Sequence, residues 1–416
     1  MQQLAQLRVR VAITLGIALG GVPASAQQVL LVDADGGPGA DFTDLQPALD
    51  AAAEGQVVLI LPGSYSQFVV DGKSLSIFAA APGVAVEGRC RVRNVGPGQR
   101  VVLDGLKFHS IEGTALQVDD CPGSVWFEGL VVESIGNPFV APSVGVQVSD
   151  ADNLVMVDCA VRSTVGEQIT TNGSNAGLQV LYSNVYLFDC VATAGLQNFG
   201  YDGDPGVEAG SSFVFASGCR MVGGRGSDGK VFGGAACADG SDGGPGLRSI
   251  NAFQGPGSEV LLLGSVSIGG EPGRPSSPAC SPGAQGPSLE EFPGSSIQDL
   301  GLQLPPRRLE LSGPISSGQS LHGTLSGSPA ELGWIVASIE TSAVFVPALH
   351  GVLATTSSGL AIQLGPLSPA GELDFQFQVT LPGGTPSATV FAQGLLLSAA
   401  DGLVLSGPRA TLVVGP

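Results

Sequence analysis

Residues 184–192 read NVYLFDCVA, and the stretch VYLFDCVA within it (185–192) decides the fold because it is not unique. The same arrangement, apolar-x-apolar-x-x-apolar-x-apolar, returns as VVLDGLKF (101–108), VWFEGLVV (125–132), LVMVDCAV (154–161), VFASGCRM (214–221) and LLLGSVSI (261–268). The first positions Val101, Val125, Leu154, Val185, Val214 and Leu261 are 24, 29, 31, 29 and 47 residues apart. A second pattern interleaves with it: ALQV (115–118), GVQV (145–148), GLQV (177–180) and GVEA (206–209), at steps of 30, 32 and 29. Each pattern alternates with the period of a strand, and the first breaks at a two-residue bend such as DG or EG, so the chain turns a corner there. Two strand patterns at one repeat length, with no helical segment between them, predict a parallel β-helix.

In that alignment Cys190 takes an inward position, in one column with Cys159 and Cys219 and in the place held by Leu106, Leu130 and Val266 on other rungs. Stacked rungs lie about 4.8 Å apart, and a small apolar thiol suits such a column. Core filling is therefore the reading; a disulfide between neighbouring rungs, or a catalytic or metal role, are the alternatives. None of the seven cysteines forms a C-x-x-C pair, which argues against a structural zinc site.

The rest of the composition agrees. The chain has 416 residues, enough for two domains, with 63 glycines and 29 prolines. Hydrophobic residues make up 43%, so a sizeable core is available, while charged residues are only 13%. The N-terminus reads as a secretory signal over 1–26: Arg8 and Arg10, the apolar run VAITLGIALGGV (11–22), then ASA (24–26). Loss of the two arginines would take the formal net charge from −19 to −21. That charge argues against nucleic acid and anionic membranes as partners. No later run is long and apolar enough for a transmembrane segment in the mature chain.

The stretch DFTDLQPALDAAAEGQVVLILPGSY (41–65) resembles the opening of the pectin lyase-like right-handed β-helix superfamily, where a short amphipathic helix caps the coil and a G-x-x-V-x-L-x-P-G-x-Y strand forms the first rung. Phe42, Leu45, Ala48, Leu49 and Ala52 share one helical face, as a cap over an apolar coil end needs. The resemblance implies a right-handed parallel β-helix over residues 27–300. It implies no particular activity, since the superfamily holds lyases, hydrolases, esterases, epimerases and adhesins. VDD (118–120) supplies a lone D-D, but the N-T-D, G-H-G and R-x-K motifs of polygalacturonase-like enzymes and the arginine segment of pectate lyase-like enzymes are missing.

Rung alignment stacks His109, Glu133 and Arg162 on one outward column, either an acidic-sugar or proton-transfer site or a solvated charge ladder. Asp120 and Asp150 align on another, as calcium ligands, an acid–base pair or simple turn residues. Trp126 and Tyr186 take outward positions two rungs apart, where they either form a sugar-stacking stripe or are simply covered by loops. GGRGSDGKV (223–231) nearly matches a calcium-binding nonapeptide, so no cofactor is expected beyond, at most, calcium. The surrounding 222–246, with ten glycines, reads as a long flexible loop. Cys237 and Cys280 fall in the two Gly/Pro-rich excursions and are expected to form a disulfide.

Gly/Pro/Ser enrichment over 269–305 marks a boundary, and alternating strands beyond it predict an antiparallel β-sandwich over 301–416 as an accessory domain. The sequence thus points to a secreted or cell-surface protein that binds extracellular polysaccharide, or a cell-surface component in adhesion. The alternative is a polysaccharide lyase or glycoside hydrolase acting on uronic-acid-rich polymers.

Overall fold

The structure, a computed structural model, describes residues 9–10, 29–136, 143–165, 175–195, 201–230, 237–252, 256–301, 307–356 and 359–415. The expected leader 1–26 lies outside these residues apart from Val9–Arg10. The chain divides into two compact units, Leu30–Gly301 on one side and Leu302–Pro416 with Met1–Val29 on the other.

The first unit is a coil of parallel strands laid out on three faces, visited in the same order on every turn. Face A runs from Leu30–Val32 and Gln56–Ile60 to Ser296–Asp299. Face B holds eight strands among the described residues, from Gly63–Ser66 to Val266–Ile268. Face C runs from Val69–Asp71 to Leu289–Glu291. Two long strands, Leu116–Glu128 and Val146–Val157, bend round the corner from face C to face A and join those faces into one sheet. Every pairing in the coil is parallel, and each strand bonds the strand one turn on. Residues inserted between turns loop outward and leave the register intact: Val58 pairs with Ile77, 19 residues on, whereas Val214 pairs with Val260, 46 residues on.

Alternation buries one side of each strand. Val101, Leu103, Leu106 and Phe108 and their counterparts on later turns form a continuous apolar core. The start of the coil is closed by a helix, Leu45–Ala51, capped by Asp44, whose carboxylate accepts from the Leu45 N–H. Leu45, Ala48 and Leu49 of that helix are buried in the core, with Phe42 packed beside them. Cys159, Cys190 and Cys219 stack inside on consecutive rungs and are free thiols. Burial holds Cys159 and Cys219 well above the usual thiol range. Cys190, between them, can receive S–H hydrogen bonds from both neighbours, which favours its thiolate against the desolvation that opposes it. Burial also pushes Cys90 up to about 12 and Cys121 up to about 11.

The alignment fails by one residue on the last repeat. Val214 pairs with Val260 rather than Leu261, and Arg220 with Val266. Val260 and Leu262 face the core, Ser265 continues the cysteine column, and Val266 is exposed. The run VLLL (260–263) carries no alternation from which to read a face, so only pairing fixes its register.

The corners are built from left-handed residues. Between faces A and B stand Gly105, Gly129, Asp158, Asp189, Gly218 and Gly264, all at φ of 53–72°. Between C and A stand Asn94, Asp120, Asp150, Tyr182 and Ser211, at φ of 50–56°. Asn, Asp and Gly tolerate this region best, which accounts for the DG and DD spellings at the bends.

The glycine-rich excursions between faces B and C lie on the side of the coil, as expected at 222–246, but their described residues are hydrogen-bonded to one another rather than floppy. Segments 223–229 and 269–274 run outward, and 201–206, 240–246 and 283–287 return. The N–H groups of Gly223, Gly226 and Gly229 bond to the carbonyls of Ile268, Glu271 and Arg274. Those of Gly240, Gly243 and Gly246 bond to Ser281, Ala284 and Pro287. Gly244 bonds back to Gly224, Gly270 to Gly244 and Gly286 to Gly270, joining the outward row to the return row. A three-residue bonding period is that of polyproline II chains, whose close approach admits only glycine at the contact. A Cβ on Gly244 would sit 2.2 Å from the Asp204 carbonyl oxygen, and one on Gly270 1.9 Å from that of Gly224. Asp239 and Asp242, three apart and therefore on one edge, accept from the N–H groups of Ser281 and Ala284. Cys237 and Cys280, with Cα atoms 5.6 Å apart, form a disulfide at the tip. The segment 269–288 thus belongs to the first unit.

In the second unit two sheets pack face to face. Leu309, Leu325, Phe375 and Phe377 of one sheet meet Ile335, Ile362, Leu364 and Leu396 of the other. An apolar cavity of about 30 Å³ remains between them. Buried Arg307 is neutralised by Glu331 at 2.6 Å and Asp401 at 3.0 Å. Val9–Arg10 pair in parallel with Phe375–Gln376.

Two substitutions test this architecture. Cys190→Asp places a carboxylate among buried neighbours with no cation, and is expected to cost more than about 3 kcal/mol in chemical denaturation; an unchanged midpoint would show that the column is not buried. Gly244→Ala should cost roughly 1–3 kcal/mol by overpacking. Gly313→Ala, where a Cβ meets nothing within 4 Å, should be near neutral. Equal stability of the two variants would contradict the close-packed bundle.

Candidate functional site

The residues singled out in the sequence fall on three separate places. His109 pairs with Glu133 and Glu133 with Arg162 in register on face B. The His109 Nδ1 lies 2.8 Å from Glu87 Oε2, one rung earlier, and Glu133 is approached by Lys107 at 3.8 Å. Asp120 and Asp150 stand on adjacent rungs at the C/A corner, exposed and left-handed, so they share neither face nor bonds with the histidine column.

Trp126 and Tyr186 do lie on outward positions of face A, in one column with Val102, Val155 and Phe215. Yet Trp126 is fully buried and donates to Glu128, while Tyr186 is 7% exposed and packs on Phe213. Neither ring is open to a ligand, since the whole column, Val102, Val155 and Phe215 included, is buried. In the near-calcium motif, the Asp228 carboxylate accepts from Arg225 and from the Arg274 N–H.

The longest ordered polar array lies on face C and passed unread in the sequence. The third position of ALQV, GVQV, GLQV and GVEA is outward, and those side chains stack in register: Arg91, Gln117, Gln147, Gln179, Glu208, Arg248 and Glu290. Arg91 donates to Gln117 Oε1 at 2.8 Å, Gln147 to Gln179 at 3.1 Å and Gln179 to Glu208 at 2.8 Å. Arg248 meets Glu208 at 3.6 Å and Glu290 at 2.6 Å. Glu208 is buried and the others are half-buried, so the chain of hydrogen bonds holds each amide in a fixed orientation. The signal was the recurrence of one polar type at one place in each repeat.

Beside this column runs a second outward one, Arg93, Asp119, Ser149, Leu181, Gly210 and Ile250, and beyond it the corner column with Asp120, Asp150 and Tyr182. Together they make a strip along the coil: amides on one edge, a small and partly apolar middle, acids and a tyrosine on the other edge. Burial raises the Asp119 carboxyl, against the hydrogen bond from Gln117 and the charge of Arg91.

Beside the strip Asp204 leads into the strand of Glu208, Val207–Gly210. Burial pushes its carboxyl up to about 6, opposed by hydrogen bonding with Asn175 and reinforced by the charge of Glu208.

No family model and no curated protein matches the chain. Among solved structures, the enzymatically active domain of tailspike protein 2 from bacteriophage CBA120 aligns over 89% of this chain and 73% of its own, at 10% identity and a TM-score of 0.30. Superoxide reductase (neelaredoxin) from Ignicoccus hospitalis aligns over 26% of this chain and 81% of its own, at 12% identity and a TM-score of 0.16. At these scores neither likeness bears on the site.

The Asp204 environment gives a test with a definite sign. Its folded pKa of about 6 lies above the unfolded 3.8, so the protonated group favours the fold below pH 4 and that contribution is lost as pH rises through 6. Asp204→Asn should therefore gain stability relative to wild type between pH 4 and pH 7, by roughly 2–3 kcal/mol. A stability difference flat across that range would show that the carboxyl is not desolvated.

Proposed function

We propose that this protein is an exported right-handed parallel β-helix protein of the pectin lyase-like kind that binds an extracellular polysaccharide chain along face C. The observation that carries this reading is the seven-rung polar column. Its three amides, Gln117, Gln147 and Gln179, carry donors and acceptors on consecutive rungs, which suits vicinal hydroxyls, and the hydrogen bonds along the column fix the geometry in advance. A shallow strip on the side of a coil suits an extended polymer better than a small molecule, which needs a concave pocket. Its length makes several weak contacts act together. The leader 1–26 and the Cys237–Cys280 disulfide support an oxidising, extracellular setting. The expected absence of nucleic acid partners follows from the net charge of −19.

A binding role is proposed rather than cleavage because the strip's titratable groups are engaged with one another, Arg248 with Glu208 and Glu290, Arg91 with Asp119. Affinity electrophoresis against a panel of neutral and uronic polysaccharides, with and without calcium, tests this. Retardation by at least one polymer, with no new reducing or unsaturated ends, is expected. The Gln147→Ala/Gln179→Ala double variant should lose it about tenfold or more, roughly 1.4 kcal/mol. The His109→Ala/Glu133→Ala double variant should not. The opposite pattern would move the site to face B.

A further inference from the structure

Tyr182 is the one bulky residue in the C/A corner column. The positions above and below it are Asn94, Asp120, Asp150 and Ser211, and all five have φ between 50° and 56°. Small polar residues accept left-handed backbone through local hydrogen bonds, whereas a tyrosine is an outlier there. A residue kept in such a conformation against its preference is a reason to look for a role for its side chain. The ring is also exposed, at 39%, whereas the outward rings Trp126, Tyr186 and Phe215 of face A are buried. Its hydroxyl donates to the Ala252 carbonyl oxygen at 3.3 Å, which pins the ring along the corner. It comes directly after the strand Leu178–Leu181, which carries Gln179 and Leu181, so an amide, an apolar side chain and an aromatic ring follow one another on one rung.

We propose that Tyr182 is the stacking residue of the face C strip and that the strip takes an uncharged, extended, equatorially linked polysaccharide lying along the coil, one sugar per rung. This rests on the polysaccharide reading above and narrows it. Sugar rings present C–H faces to aromatic rings and hydroxyls to amides, and the two are offered here on opposite edges of one strip. Such a polymer advances by about one 4.8 Å rung spacing per sugar and turns alternate sugars over, so equivalent contacts can recur on every second rung. Charge decides against a uronic polymer. An anionic chain needs cations that are free to meet it, and each arginine on the strip already faces a carboxylate: Arg93 with Asp71 at 2.8 Å, Arg91 with Asp119 at 3.5 Å, Arg248 with Glu290 at 2.6 Å. The middle, at Gln117, Gln147 and Gln179, is neutral.

The test compares β-1,4-linked glucan, mannan and xylan oligosaccharides with oligogalacturonate by calorimetric titration of wild type, Tyr182→Asn and Tyr182→Phe. Wild type is expected to bind at least one neutral oligomer, with an affinity unchanged between low and high salt. Tyr182→Asn should melt higher than wild type, because asparagine suits the corner, and yet bind at least tenfold more weakly. Tyr182→Phe, which keeps the ring, should bind within about threefold of wild type. Neutral-oligomer binding that survives Tyr182→Asn, or salt-sensitive binding of oligogalacturonate lost in Gln147→Ala/Gln179→Ala, overturns this inference and leaves the polysaccharide reading standing. Binding of no polymer by wild type overturns both.

Discussion

The spacing of one parallel strand from the next, about 4.8 Å, is the constraint on which the rest of the first unit depends. Each rung's backbone N–H and C=O groups are satisfied by the rungs on either side, so the chain must return to the same three places on every turn. Once it does, side chains at equivalent positions stack whether or not they attract one another. The inner columns become a core, and the outer columns become rows of like or complementary groups. The cysteine column and the amide column are two results of the same repeat, one facing inward and one outward.

The glycine bundle extends this constraint beyond the coil. Polyproline II chains that bond laterally can adopt nearly the same spacing as strands, so excursions leaving successive rungs arrive already positioned to bond. The bundle has few apolar side chains to bury; it depends on backbone hydrogen bonds, on the absence of Cβ atoms where chains cross, on aspartates that accept from neighbouring N–H groups, and on the Cys237–Cys280 link. A composition that suggests flexibility on its own becomes an ordered element when a template holds its ends in register.

Face C shows how a surface can be organised without a pocket. Glu208, buried, receives the Gln179 amide and the charge of Arg248, and Gln179 in turn receives Gln147. Each group orients the next, at the expense of freedom it would have in solvent. Tyr182 and Asp204 are the two places where local preference is overridden, one in backbone conformation and one in ionisation. Both lie on the turns of this strip rather than on face B.

Much of the coil was legible in the residues themselves. Alternation with a two-residue break gave the rungs, the helical face of Leu45, Ala48 and Leu49 gave the cap, and the loop cysteines gave the disulfide, because period, amphipathicity and cysteine usage are local properties. The last rung was misread by one position, since VLLL offers no polar residue to mark the outer face. Trp126 and Tyr186 were legible as outward, but whether they are open or covered was not, because exposure depends on what packs outside a sheet. The amide column was spelled out in ALQV, GVQV and GLQV, yet its meaning required register. By itself the sequence determined which residues repeat and which side of each strand they occupy. Only the tertiary structure decided which repeated residues become neighbours and which remain in contact with water, because both depend on segments far apart in the chain arriving at the same place.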